Sequence, residues 1–224
     1  MKLSEFAITA LKNFSTINDG IVLRPGSKIR TVNEDETVWG QAEVEDVFPV
    51  EFGIYDLSNF LGNISALDNP DVEFSNEKEV KLSDKDFTLI YKGHLPSLIT
   101  SPAPNKKIGF ENPEVVFDLS KDTLAKLLKL SAMNKLPFIT LVGDESGNLR
   151  LQTHETNNPD SNLAYITVGT HSGEPFITTF KVDLLKIILD DYVVELKKDV
   201  VAKFSSKNRK LEYFISPEVK KGKF

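Results

Sequence analysis

The chain has 224 residues, of which 40% are hydrophobic and 27% are charged, and it contains no cysteine. The lack of cysteine excludes disulfide scaffolds, cysteine-based zinc sites and thiol nucleophiles. Acidic residues outnumber basic ones by 33 to 27, whereas a protein that grips nucleic acid over its whole surface normally shows the opposite balance. The net charge of −6 is uneven: residues 1–110 carry all of it and residues 111–224 are neutral in sum, which leaves room for a basic face.

The sequence contains no segment typical of membrane insertion. No apolar stretch approaches the ~20 residues that span a bilayer. The first residues, Met1 to Phe6, include no apolar signal core. We therefore expect a soluble, intracellular protein.

The first predicted helix runs from about Ser4 to Ile17. Ser4 is a favourable N-cap, and Gly20 closes the turn beyond the helix. The apolar residues of this segment recur at helical spacing on one face and are Phe6, Ala10, Phe14 and Ile17. Four runs typical of strands follow, separated by turn residues: Ile21–Leu23, Lys28–Val32, Thr37–Val44 and Val47–Ile54.

A second helix is predicted after Asp56, which can cap it. Its apolar stripe consists of Leu57, Phe60, Leu61 and Ile64. Three short strands are then expected, at Val72–Ser75, Glu79–Leu82 and Phe87–Tyr91. Residues 93–113 contain Pro96, Pro102, Pro104 and Pro113, a composition typical of a linker or a long extended loop.

The second half repeats this order of elements. A strand at Val115–Leu119 precedes a helix that Ser120 caps and that ends near Asn134. The buried stripe of this helix is predicted to be Leu124, Leu127, Leu128 and Ser131. Strands are expected at Phe138–Val142, Leu149–His154, Leu163–Val168, Pro175–Val182, Tyr192–Leu196, Val200–Ser205 and Leu211–Ile215. A short fourth helix is predicted after Asp183, with Leu184, Leu185, Ile187 and Ile188 as its apolar residues.

The repeated order predicts the fold class. We expect two similar α+β domains, each with two helices packed on an antiparallel sheet. The expected bounds are 1–92 for the first domain, 93–113 for the linker and 114–224 for the second domain.

No set of residues typical of a catalytic site can be found. The three histidines, His94, His154 and His171, are isolated from one another, so they form no metal-binding motif. The sequence has no phosphate-binding glycine loop and no serine nucleophile elbow. The adjacent acids Asp190 and Asp191 are interpreted as a solvated helix end. We expect a protein that is not an enzyme and that needs neither a metal nor a cofactor.

Lysines on the predicted helices are the remaining functional candidates. Lys121, Lys126 and Lys129 lie off the leucine stripe of the third helix, and Lys135 follows its end. Lys12 lies off the apolar face of the first helix, and Lys186 falls among apolar residues of the predicted fourth. A single lysine is ordinarily a solvent-facing residue. Three on one helix of an acidic protein leave two interpretations open, solvent-facing or phosphate-facing.

Several strings of residues resemble one family. The chain is similar to the sliding clamps, or DNA polymerase processivity factors, of T-even-like tailed bacteriophages. The length and the order of elements agree along the whole chain, and the resemblance is weaker in the later part. The strings that carry it are Met1-Lys2-Leu3-Ser4, Thr9-Ala10-Leu11-Lys12-Asn13-Phe14, Thr16-Ile17-Asn18, Ile54-Tyr55-Asp56-Leu57, Phe60-Leu61-Gly62 and Ala103-Pro104-Asn105-Lys106.

The resemblance implies a head-to-tail homotrimeric ring around duplex DNA. Each subunit would have two clamp domains, with its four helices lining the hole and its sheets forming the outer wall. Sliding requires weak phosphate contacts without base readout, so the lysines of the lining would meet DNA of any sequence. The lysines expected to face DNA are Lys12, Lys121, Lys126, Lys129, Lys135 and Lys186.

The resemblance also implies protein partners. A clamp-loader ATPase would open the ring, and the viral DNA polymerase would insert its C-terminal peptide into a hydrophobic pocket. Candidate pocket residues are Leu95, Leu98, Ile99 and Pro102 of the linker together with Phe214, Ile215 and Pro217. Alternatively, the linker residues merely pin the loop to the core. The family further implies late transcription factors as partners and the cytoplasm of the infected bacterial host as the location, although no residue identifies a role in transcription.

The alternative to the clamp is a different class of protein. A non-enzymatic virion structural or assembly protein built from β-rich domains would explain the many short strands and the lack of a catalytic site. It would not explain lysines carried on helices or the matching strings. The clamp is therefore the favoured interpretation.

Overall fold

A computed structural model of the protein describes residues 1–104, 106, 109–155, 158 and 160–218. The chain divides into two units, Met1–Ile108 and Gly109–Phe224. The division falls within the segment that the sequence predicts as a linker. Each unit contains α-helix and antiparallel sheet, and each is built around its own apolar core.

The first unit begins with helix α1 (Glu5–Phe14) and continues with strands β1 (Ile21–Leu23), β2 (Gly26–Val32), β3 (Val38–Phe48) and β4 (Phe52–Ile54). Helix α2 (Leu57–Ala66) precedes strands β5 (Asp71–Phe74), β6 (Glu79–Ser83) and β7 (Thr88–Lys92). Strand β1 pairs with β4, β2 with β3, and β6 lies between β5 and β7, always antiparallel.

Both helices of the first unit start at the predicted caps. The Ser4 hydroxyl accepts a hydrogen bond from the backbone N–H of Ala7, 3.1 Å away. The carboxylate of Asp56 accepts one from the N–H of Asn59 at 2.8 Å. The predicted stripe of α2 is buried throughout, and α1 buries Ala7, Ala10, Leu11 and Phe14.

Strand β3 corrects the predicted strand boundaries. The sequence predicts two strands that meet near Glu45, whereas β3 continues without a break to Phe48. Its alternation of buried and less buried residues holds through Asp46. The carboxylate of Asp46 tolerates burial because it accepts hydrogen bonds from the N–H (2.9 Å) and the hydroxyl (2.5 Å) of Ser4. The strand ends before Pro49, which has no N–H to donate.

The second unit contains β8 (Val115–Leu119), α3 (Lys121–Asn134), β9 (Phe138–Gly143), β10 (Asn148–His154), β11 (Ala164–Thr170) and β12 (Phe176–Lys181). It ends with β13 (Tyr192–Lys197), β14 (Val201–Ser206) and β15 (Leu211–Ile215). One sheet has the order β11-β10-β9-β12, and antiparallel pairing also joins β8, β13, β14 and β15 in that order. Helix α3 packs against β9 and β10.

The predicted fourth helix is wrong. A single 3-10 turn, Val182–Leu184, occupies its place. Leu185 and Ile187 are buried while Lys186 between them is exposed, an alternation that a helix cannot produce. The backbone of Ile188 is held by two tyrosines, because its carbonyl accepts from the Tyr192 hydroxyl at 2.5 Å and its N–H donates to the Tyr213 hydroxyl at 3.3 Å. The described part of the second unit therefore has one α-helix.

The packing of α3 gives a first prediction. Leu127 is 3% exposed and lines a small apolar void of about 30 Å³ in the second unit, whereas Leu130 on the same helix is 39% exposed. We expect Leu127→Ala to lower the free energy of unfolding by about 2–5 kcal/mol because it enlarges a buried cavity. Leu130→Ala makes the same chemical change on the surface and should cost less than about 1 kcal/mol. Urea denaturation followed by circular dichroism measures both, and equal costs would contradict this packing.

Candidate nucleic-acid interface and partner surfaces

The first turn of α3 is fixed by two hydrogen bonds. Ser120 adopts the extended conformation of an N-cap, and its hydroxyl accepts from the N–H of Thr123 at 3.2 Å. The carboxylate of Asp191 accepts from the N–H of Lys121 at 2.8 Å. A carboxylate at this position is also favoured by the positive end of the helix dipole. The start of α3, and with it the direction of its side chains, is therefore set by residues of its own unit.

The α3 lysine face consists of Lys121, Lys126 and Lys129. At about 100° per residue, Lys126 and Lys129 project on the side opposite the buried Leu124 and Leu127, and Lys121 lies at the edge of that side. All three lysines are exposed. Asp122 is the one acidic residue within α3. The helix thus presents a basic surface in a protein whose net charge is negative.

The remaining candidate lysines occupy different settings. Lys135 is exposed and forms the C-cap of α3 with a left-handed backbone, φ 53°. Lys186 is exposed in the non-helical segment after the 3-10 turn, so its predicted place on a helix is wrong. Lys12 is exposed on α1, opposite Ala7 and Leu11. Lys12 and Lys186 therefore lie outside α3, and Lys135 lies at its end.

The helices of the first unit are nearly uncharged on their outer sides. Helix α2 contains no charged residue, and its exposed positions are Ser58, Asn59, Gly62, Ser65 and Ala66. On α1, the charged residues are Glu5 and Lys12. The positive charge of the helices is therefore concentrated on α3.

The acidic pair before β13 is not a solvated helix end. Asp190 is 6% exposed and accepts hydrogen bonds from Asn208 Nδ2 at 2.6 Å and from the Ser206 hydroxyl at 2.7 Å. Burial alone would raise the pKa of Asp190, but these hydrogen bonds outweigh it and hold the pKa below its ordinary value. Asp190 thus supports the turn from which Asp191 reaches α3.

The candidate pocket residues of the linker divide into two kinds. Ile99 is 8% exposed and Pro102 is buried, whereas Leu95 and Leu98 are 67% and 65% exposed. Ile99 packs against the backbone of the first unit: its Cγ2 lies 3.0 Å from where a Cβ on Gly20 would stand. The loop-pinning interpretation therefore describes Ile99 and Pro102, and the other two remain available for a partner.

Polar contacts hold the rest of the linker on the first unit. Asn18 Nδ2 donates to the carbonyl of Thr100 at 2.9 Å, and the Arg24 guanidinium donates to the Ser101 hydroxyl at 3.1 Å. Arg30 donates to the carbonyls of Pro104 at 3.2 Å and of Lys106 at 2.8 Å. Of the string Ala103-Pro104-Asn105-Lys106, Asn105 lies outside the described residues.

The candidates near the C-terminus are all buried. Phe214 is 6% exposed, with its ring centroid 6.3 Å from that of Phe110, while Ile215 is fully buried and Pro217 is also buried. The chain then reaches strand β12, where the N–H of Glu218 donates to the carbonyl of Thr179 at 2.7 Å. None of these three side chains is exposed to a partner peptide in the chain as it stands.

Sequence reasoning missed two sets of exposed apolar residues. Tyr55 is 58% exposed, and its ring lies 5.5 Å from that of His94, beside Leu95. Strands β7 and β11, each at the edge of its sheet, carry exposed apolar side chains: Phe87, Leu89 and Ile90 at β7, and Leu163, Tyr165 and Ile166 at β11. The signal was present, since neighbouring apolar residues in a strand break the alternation that a half-buried strand shows.

Within the described ranges, no cluster of three or more His, Asp or Glu side chains is placed to hold a metal ion. The described residues also contain no helix that is long and apolar enough to cross a membrane.

Comparison with known proteins places these features in context. A family model described as DNA polymerase processivity factor matches residues 2–99. The sliding clamp of Vibrio phage KVP40 is 32% identical over 226 residues, which cover 97% of this chain and 99% of that protein. The sliding clamp of Enterobacteria phage T4 is 36% identical over 132 residues, which cover 58% of this chain and 57% of that protein.

A solved structure supports the fold. A. fulgidus PCNA, in a structure with the C-terminal region of FEN-1 bound, matches with a TM-score of 0.71 at 14% identity, covering 99% of this chain and 98% of that chain. At this identity the likeness concerns the fold alone. It confirms the predicted α+β class with helices packed on antiparallel sheets in two similar domains.

The division of the linker residues gives a second prediction. Ile99→Ser removes a buried side chain and leaves a hydroxyl in its place, so we expect a loss of about 2–4 kcal/mol in the free energy of unfolding. Leu98→Ser, one residue earlier, should change it by only about 0.5 kcal/mol because Leu98 is exposed. Thermal and urea denaturation measure the two variants side by side, and a large loss for Leu98→Ser would contradict its placement.

Proposed function

This chain belongs to the sliding clamps, the DNA polymerase processivity factors of T-even-like phages, and we propose that it acts as a homotrimeric ring that encircles duplex DNA without reading its sequence. The α3 lysine face carries this proposal. Exposed lysines on one helix provide transient phosphate contacts, and such contacts are sequence-independent. A closed ring needs no tight contact, because topology keeps it on the DNA.

The proposed lining is asymmetric in charge. The α3 lysine face supplies most of it, Lys12 adds one charge per subunit from α1, and α2 presents neutral side chains. Lys135 lies at the end of α3 and fits the same surface. Lys186 does not lie on a helix, so we keep it only as a candidate DNA contact at the edge of the lining. The net charge of −6 already includes these lysines, so the acidic excess lies on the rest of the chain and an acidic protein can still hold a polyanion in its hole.

We further propose that the ring closes head to tail through edge strands. Strand β7 of one copy would pair with β11 of the next, burying the exposed apolar residues of both. An unpaired, apolar strand edge otherwise invites uncontrolled association. Because β7 and β11 belong to different units of the chain, their contact is heterologous and can close a ring of identical subunits.

The polymerase is the principal proposed partner. Exposed Leu95 and Leu98 offer apolar anchors for a peptide, as does exposed Tyr55, whose ring lies near that of His94. We assign them to the polymerase C-terminal peptide in place of Ile99 and Pro102. Because the side chains of Phe214, Ile215 and Pro217 are buried, we do not assign them a direct contact with the peptide. The clamp-loader ATPase, the late transcription factors and a location in the cytoplasm of the infected host complete the proposal, which assigns the chain no catalytic activity. The comparisons do not favour a virion structural protein.

Charge reversal on α3 gives the test of the proposed DNA contact. Lys126→Glu with Lys129→Glu should sharply reduce loading onto primed circular DNA and shorten polymerase products, since each lost phosphate contact removes a counterion-release contribution. Folding should survive, because both side chains are exposed. The measurement is product length with loader and ATP present.

A matched control reverses two exposed lysines away from the helices. Lys78→Glu with Lys197→Glu changes the charge of the chain equally, so it should leave loading close to wild type. If the α3 variant loads normally at low salt, or if the control is equally defective, the α3 lysine face is not the DNA contact.

Assembly is tested by a charge placed on one edge strand. Ile166→Lys in β11 should abolish the trimer, leaving a species of 25.1 kDa in place of 75.3 kDa for three chains in sedimentation equilibrium. Ile177→Lys is the control, because Ile177 is 59% exposed on β12, the opposite edge of the same sheet. A trimer that tolerates Ile166→Lys would exclude β11 from the interface, and a wild-type monomer at every concentration would exclude the ring.

A further inference from the structure

A small cationic cleft lies on the first unit. It has a volume of about 150 Å³ and is lined by Val22, Arg24, Pro25, Lys28 and Arg30. Three of these five residues are cationic, although residues 1–110 as a whole carry a net charge of −6. A local excess of positive charge on an acidic unit favours an anionic partner.

Nearby carboxylates only partly balance the cleft. Arg24 forms an ion pair with Glu51, with Nε 3.2 Å from Oε2, yet this buried Nε makes no hydrogen bond. Glu43 is the cross-strand neighbour of Lys28. Arg30 makes its two hydrogen bonds to neutral carbonyls of the linker. Two carboxylates therefore stand near three cations, and donor capacity remains for a further acceptor.

The cleft lies on the face of its sheet that points away from α1. A Cβ on Gly40 would stand 2.8 Å from the Phe14 ring of α1 and 3.2 Å from Cγ2 of Thr31, its cross-strand neighbour, so Thr31 faces α1. Side chains alternate along a strand, which places Lys28 and Arg30 on the other face. In the proposed ring the helices face DNA, so the cleft opens away from the duplex.

We propose that the cationic cleft binds a carboxylate of an acidic peptide segment in a partner protein. Its preference for protein over DNA rests on the proposed function, through the direction in which the helices face. Guanidinium groups match a carboxylate with paired hydrogen bonds. Val22 and Pro25 add an apolar wall for the rest of the segment. The site is distinct from the apolar surface at Leu95 and Leu98.

The fluorescence of Trp39 offers a way to detect binding at this cleft. Arg30 holds the carbonyl of Lys106, and the ammonium of Lys106 lies 4.6 Å from the centroid of the Trp39 ring and 3.3 Å from Glu36. A carboxylate that draws Arg30 away from the linker alters the surroundings of Trp39. Trp39 is the single tryptophan of the sequence, so the tryptophan fluorescence of the protein comes from this position alone.

The experiment uses the full-length protein without DNA and a fluorescein-labelled peptide of alternating aspartate and glycine. Anisotropy at about 50 mM salt, where screening is weak, measures its affinity. An otherwise identical peptide with asparagine in place of aspartate should bind at least about tenfold more weakly, since it cannot form charge-assisted hydrogen bonds. Trp39 emission should change with the aspartate peptide at the same midpoint.

Variants locate the site. Lys28→Gln with Arg30→Gln should weaken aspartate-peptide binding at least about tenfold. Lys28→Gln alone leaves the Arg30–linker hydrogen bonds in place and should weaken it about threefold, which covers the case in which the double variant misfolds. Lys78→Gln with Lys85→Gln removes the same charge from exposed positions of the same unit and should leave binding within about twofold.

Several results would overturn the proposal. These are equal binding of the two peptides, equal binding by wild type and Lys28→Gln, or an equal loss in the Lys78/Lys85 control. A short DNA duplex that binds the free protein and is lost with Lys28→Gln would assign the cleft to nucleic acid instead. The ring proposal is tested separately, by sedimentation equilibrium and by loading onto DNA. Peptide binding is measured on protein free of DNA, so its result does not depend on those two experiments.

Discussion

A carboxylate holds the first turn of each lysine-bearing helix to its own unit. Asp46 of β3 accepts two hydrogen bonds from Ser4, and Asp191, directly before β13, accepts one from the backbone of Lys121. Each such bond to a charged acceptor is worth about 1.5–3 kcal/mol. Once the first turn is fixed, the apolar stripe sets the rotation of the helix. Exposure of Lys12 and of the α3 lysine face follows from those two constraints together.

The attraction of the α3 lysines for a DNA phosphate and the repulsion by the acidic residues of the chain act at different distances. At physiological salt the field of a surface charge decays over about 8 Å. A phosphate close to the α3 lysine face therefore interacts with these lysines more strongly than with the acidic residues spread over the rest of the chain. In the proposed ring, the neutral α2 would add contact area without adding binding strength, which suits movement along DNA. A more basic lining would hold DNA better and slide less easily, since every added contact raises the cost of leaving a position.

The elements that could be predicted from the sequence are those determined by residues close together in the chain. Strands β1, β8 and β15 and helix α3 have the expected bounds, because caps and hydrophobic periodicity are properties of neighbouring residues. The failures concern residues whose environment is set by distant parts of the chain. Buried Asp46 accepts hydrogen bonds from Ser4, which lies 42 positions earlier, and buried Asp190 accepts them from Ser206 and Asn208. The lysines of α3 were found as a face, whereas the burial of Ile99 and the exposure of Leu98 depend on how the linker crosses the first unit.

The linker acts as an extension of the first unit and not as a free tether. Ile99 packs against the backbone at Gly20. The two arginines Arg24 and Arg30 hold the following segment by hydrogen bonds to Ser101, Pro104 and Lys106. The apolar side chains of Leu95 and Leu98 stay exposed. A partner that docks on such a segment meets anchors already in position, so less conformational entropy is lost on binding. The same arginines that order the linker also line the cationic cleft. An acidic segment that engages them would therefore compete with the linker for Arg30, which couples partner binding to the fit of the linker on its unit.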